Sequence, residues 1–147
     1  MNRGFDASNT VMADSKIAVM ATSLATSKIE EAVGKAFDEK TVDTLLASTS
    51  GLTIPSKLGL DPSETYPNVD DFDDFNNLIF YDTIDGGGQN NKIPFKTTCV
   101  VYYVDPSSPD IPQASATWNK KIVVQVTSPA MTDTVTQEYI YSYFHFL

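Results

Sequence analysis

Hydrophobic positions along this chain follow a helical period first and an extended period later. From Ala13 to Phe37, apolar residues recur every three or four positions: Ala18, Ala21, Ala25, Ile29, Ala32 and Ala36. Ile17, Met20, Leu24 and Val33 widen that stripe, while Lys16, Ser23, Ser27, Glu30 and Glu31 occupy the other side. The spacing predicts an amphipathic α-helix, whose small alanines let a neighbouring layer approach closely. Gly34 weakens the last turns. Residues 1–12 are mostly polar and read as a disordered or appended N-terminal segment, leaving 13–147 as one globular domain.

From Lys40 to Tyr66 the pattern turns irregular. Thr41 to Ala47 has room for another helical turn or two, and Ser48 to Gly51, Pro55, Gly59 and Pro62 are breakers. Asp61 is placed to cap a short helix with Pro62 at its first position. The acidic stretch Asp70-Asp71-Phe72-Asp73-Asp74-Phe75 follows, and later Gly86-Gly87-Gly88 marks a loop tip. Period-two segments then predict three strands, Phe95–Val104, Lys121–Thr127 and Val135–Phe146, joined as an antiparallel meander. In the last of them Ile140, Phe144 and Phe146 share one face, and Tyr139, Tyr141 and Tyr143 the other. Helix first and sheet last make an α+β fold, with an N-terminal amphipathic helix packed on a C-terminal antiparallel β-sheet.

Charge narrows the function. Ten basic residues against nineteen acidic ones give a net charge of -9, which argues against a phosphate-backbone partner. No apolar run reaches the length of a membrane helix, and Met1 to Phe5 has no apolar segment behind it to make a signal peptide. Cys99 is the only cysteine. It lies in an apolar run with no basic neighbour to activate it, which predicts a buried structural thiol.

Four groups of residues carry candidate chemistry. Asp70, Asp71, Asp73 and Asp74, with Asp82 and Asp85 downstream, offer the closely spaced oxygens that Ca²⁺ takes, though without the glycine and glutamate of an EF-hand loop. The plainer reading is a solvated acidic loop whose Phe72 and Phe75 plug the core. Gly86 to Gly88 lack the lysine and serine of a phosphate loop. His145 is the only histidine and sits at the end of an edge strand, so neither a catalytic triad nor a zinc site is expected. Trp118, at a strand entrance, reads as a core anchor. No catalytic residue is expected. Tyr139, Tyr141 and Tyr143 are either cross-strand packing or a surface on which sugars stack.

Three segments in order carry a resemblance. Thr22-Ser23-Leu24-Ala25-Thr26-Ser27-Lys28-Ile29-Glu30-Glu31, followed by Phe37-Asp38-Glu39, resembles the first helix of minor type IV pilins and type II secretion pseudopilins. The run from Asp70 to Asn76 is similar to an acidic, aromatic element of the minor pilins resembling mannose-sensitive haemagglutinin pilus protein D. Thr97 to Asp105, a Pro/Ser loop, and Trp118 to Thr127 resemble that group's strand pattern.

The resemblance implies a pilin-like head that assembles and presents a surface on a bacterial filament. Its partners would be other pilin or pseudopilin subunits, with Ile17, Met20 and Leu24 at a subunit interface. It also implies a cell-surface or periplasmic location and an apolar half-helix anchored in the inner membrane before assembly. Arg3-Gly4-Phe5 echoes the end of a leader, but Asp6-Ala7-Ser8 follows, so either the sequence is a soluble piece of a longer protein, the favoured reading, or the resemblance extends only to the globular part. The alternative is an exported carbohydrate- or protein-binding module using the Tyr139, Tyr141 and Tyr143 face.

Overall fold

Alternation along the strands decides which residues enter the core. The structure, a computed structural model, describes residues 2–41, 46–85 and 92–143, with side chains from Ser15 onward. One helix, α1 (Asn2–Val33), precedes strands β1 (Ile79–Asp85), β2 (Lys92–Tyr103), β3 (Asn119–Thr127) and β4 (Val135–Ser142). The strands lie in the order β1-β2-β3-β4, each antiparallel to the next, with Val101 opposite Ile122 and Ile122 opposite Tyr139. This is the α+β arrangement of a helix on an antiparallel meander. It has one strand more than the sequence pattern marks, because β1 dilutes its Ile79-Phe80-Tyr81 start with Asp82 and Asp85, which strands disfavour.

Inward positions of the two central strands are almost completely buried: Phe95, Thr97, Cys99 and Val101 on β2, and Ile122, Val124 and Val126 on β3. Against them lie Ala21, Ala25 and Ala32, each fully buried, with Ile17, Met20, Leu24, Ile29 and Val33 packed around. Methyl-sized side chains bring the helix backbone close to the sheet, as their spacing predicts. Ala18 differs, being exposed.

Two boundaries depart from the periodicity. Backbone helix is present from Asn2, within the segment 1–12 expected to be disordered or appended, and it ends at Val33 rather than Phe37. After Gly34 the chain stops making helical bonds and pairs with the acidic loop instead. Ala36 donates to Asp70 O (3.2 Å) and accepts from Phe72 N (2.8 Å), which uses the groups a further helical turn would need. Asp61-Pro62 likewise opens no helix. It forms a turn closed by Glu64 N donating to Asp61 O at 2.9 Å.

The acidic loop is built into the core. Asp71 and Asp74 form a capping box around the short turn Phe72–Phe75: Asp71 accepts from Asp74 N (3.0 Å) and Asp74 accepts from Asp71 N (3.2 Å). Phe72 and Phe75 are fully buried, so the aromatic plugs are as expected, but Asp71, Asp73 and Asp74 are buried beside them rather than solvated.

A second apolar cluster gathers Phe37, Leu52, Leu58 and Tyr103, with Trp118, Tyr141 and Tyr143 against it. Trp118 is half-buried and stacks on Tyr143 at 5.2 Å between ring centroids. On the sheet's outer face, Lys121 pairs with Asp110 (2.8 Å) and Glu138 (2.9 Å).

Candidate functional site

Period two puts Lys120 on the same inward face as Ile122, Val124 and Val126, where it is fully buried. A lysine is found there only with partners. Its Nζ donates to Phe37 O (2.6 Å), to Asp38 Oδ1 (2.7 Å) and to Asp73 Oδ1, and lies 4.4 Å from the Phe37 ring centroid. Asp38 also accepts from Lys40 N (2.9 Å), Thr53 N (3.1 Å) and Thr53 Oγ1 (2.8 Å). The Tyr103 hydroxyl donates to Thr53 O at 2.6 Å and to Asp38 Oδ1 at 3.3 Å.

These surroundings separate the two carboxyls. Burial pushes Asp38 up, but Lys120 and the backbone and hydroxyl donors outweigh it and hold the group below the usual range. Burial, opposed by Lys120 and reinforced by Asp38, pushes Asp73 up to about 7. The ion pair ties the exit of α1, the acidic loop and β3 together.

On the other side of the acidic loop, carboxylates converge without a cation. In four trios, Glu39/Asp70/Asp71, Glu39/Asp61/Glu64, Asp61/Asp71/Asp74 and Glu64/Asp70/Asp74, one oxygen from each residue lies within 4.8 Å of the others. The Ala36–Asp71 pairing brings Glu39 to the loop, and the turn at Asp61 brings Glu64. Burial pushes Asp71 up to about 10, helped by the charges of Asp73 and Asp74 and by the Glu39 carboxyl. Burial likewise pushes Glu64 to about 9, with Asp74 adding to it, and Glu39 to about 7. Among the described residues, Asp74 Oδ1, Glu39 Oε2 and Glu64 Oε2 are buried oxygens that accept no hydrogen bond. Such a set has the chemistry to hold a hard divalent cation.

Of the aspartates that the sequence singles out, Asp70, Asp71 and Asp74 join this cluster. Asp73 is a correction: it turns the opposite way, to Lys120, because it faces the core beside Phe72. Glu39, Asp61 and Glu64 carry no local signal, since they come from other segments. Ile17, Met20 and Leu24, expected at a subunit interface, pack partly against the domain's own core.

Tyr141 and Tyr143 are taken up internally: the Tyr141 hydroxyl donates to Lys35 O (3.1 Å), its ring meets Phe72, and Tyr143 meets Phe37 and Trp118. Tyr139 is 47% exposed, so the three do not present one open aromatic face. Cys99 is a buried free thiol, which burial pushes up to about 12. His145, Gly86, Gly87 and Gly88 lie outside the described residues.

Comparison with protein-family models, with curated proteins and with solved structures gives no match. Among the described residues, no helix is long and apolar enough to cross a membrane.

Proposed function

We propose that this chain is the head of a filament subunit of the minor-pilin or pseudopilin kind, acting in assembly, priming or surface presentation at a bacterial envelope. The observation that carries the reading is the division of α1. One face, from Ile17 to Val33, is seated on the meander through its alanines. The opposite face, with Lys16, Val19, Ser23, Ser27 and Glu30, is exposed, and Val19 is 64% open to solvent. N-terminal to Ser15 the helical backbone continues for about 20 Å, at 1.5 Å per residue. A helix covered on one face and open on the other suits packing among neighbouring subunits, which the resemblance of residues 22–39, 70–76 and 97–127 also implies. The subunit contact belongs to the Val19 side rather than to Met20, whose side chain is shared with the core.

Val19→Glu in the native gene tests this. Filament formation or secretion should fall sharply, while the melting temperature of the soluble domain moves by less than about 2 °C, as for a surface substitution. Assembly at the parental level by a folded Val19→Glu protein would remove the filament role.

A further inference from the structure

We propose that Glu39, Asp61, Glu64, Asp70, Asp71 and Asp74 form a Ca²⁺ site that clamps the exit of α1 and the 61–64 turn to the acidic loop. The four trios are linked through shared residues into one cluster. Each of the six residues belongs to two of the four trios, and three pairs, Glu39/Asp74, Asp61/Asp70 and Glu64/Asp71, share none. Around a cation with Ca–O distances of about 2.3–2.6 Å, neighbouring ligand oxygens stand roughly 3–4 Å apart. The 4.8 Å limit on each trio accommodates them.

A second observation points to a ligand. Asp74 is fully buried, and its two oxygens have different fates. Oδ2 accepts from Asp70 N (3.0 Å) and Asp71 N (3.2 Å), whereas Oδ1 accepts nothing among the described residues. Glu39 Oε2 and Glu64 Oε2 are buried and unpartnered in the same cluster. A buried oxygen with no donor is costly, and a cation would serve all three of these at once. No protein cation supplies it: among the described residues none of the six makes an ion pair, and Lys120 is committed to Asp38 and Asp73.

The donor set selects the ion. Oxygen-only ligands exclude a preference for soft metals, which favour nitrogen and sulfur. Magnesium keeps several waters and seldom enters a cage built wholly from protein, whereas Ca²⁺ takes six to eight oxygens in flexible geometry. The site stands independently of the filament reading, since it concerns the fold of the isolated chain.

Chelator-stripped protein, titrated with CaCl₂ in a calorimeter and melted with and without the ion, provides the test. We expect saturable binding with Kd below about 10⁻⁴ M, in the range of protein calcium sites. At about one hundred times Kd, Tm should rise by roughly 5–10 °C. Asp70→Asn and Glu64→Gln remove one ligand each without touching the capping box. In chelator both should melt at or above the parental temperature, because the crowding of carboxyl groups is relieved, and both should lose most of the Ca²⁺ response. Absence of heat and of any Tm shift would overturn the site. So would an equal response to MgCl₂, or a full Ca²⁺ response in both variants.

Discussion

Replacing Lys120 by Met separates the charge of the buried pair from its packing. Methionine keeps most of the apolar stem and fills irregular space, so the cavity contribution is small. What is lost is the ammonium that serves Phe37 O, Asp38 and Asp73, all inside the protein. Removing one partner of a buried ion pair costs about 3–5 kcal/mol, because the other charge stays buried without compensation. Asp38 keeps Lys40 N, Thr53 N and Thr53 Oγ1 as donors, which places the expected loss nearer about 3 kcal/mol.

For a chain of this length that corresponds to a Tm decrease of roughly 6–12 °C, at about 2–4 °C per kcal/mol. Urea unfolding followed by circular dichroism gives the free energy directly, and an unchanged m-value shows that the denatured state is comparable. The triple variant Lys120→Met, Asp38→Asn, Asp73→Asn should recover much of the loss, since no charge is then stranded. A loss below about 1 kcal/mol for Lys120→Met, or single-variant losses that simply add in the triple, would show that these groups are not coupled as the geometry implies.

Trp118→Ala should cost about 1–3 kcal/mol, less than deletion of a fully buried aromatic, because Trp118 is half-buried and its main ring partner is Tyr143; urea unfolding compared with Phe72→Ala ranks the two. Cys99 should resist thiol reagents in the folded state even at about pH 9, since burial removes access and raises the thiol; rapid labelling without denaturant would contradict its placement.

The parts of the fold that the sequence declares are those with an uninterrupted period. Ile122, Val124 and Val126 alternate cleanly and are all fully buried, and the alanine stripe of α1 is buried at Ala21, Ala25 and Ala32. The helix end was not legible, because Ala36 continues the period and only its pairing with Asp71 shows that the chain has left the helix. Lys120 did carry a signal: it stands two residues before Ile122 and therefore on the inward face. Its charge argues for solvent until Asp38 and Asp73 are known to be adjacent, and they are 82 and 47 residues away. The carboxylate cluster was half legible. Asp70, Asp71 and Asp74 announce themselves by spacing, whereas Glu39, Asp61 and Glu64 arrive through turns whose closure no local pattern encodes.

The separation of Lys120 from its partners also bears on the order in which the molecule forms. The meander joins neighbours in sequence, through connections of 6, 15 and 7 residues, so β1 to β4 pair at far smaller sequence separation than Lys120 and its partners. Lys120 can meet Asp38 and Asp73 only after β3 is in register and both the helix exit and the acidic loop have docked. An interaction made that late lies mostly beyond the transition state. It governs how slowly the native protein opens far more than how quickly it folds, and so makes the buried ion pair a determinant of lifetime.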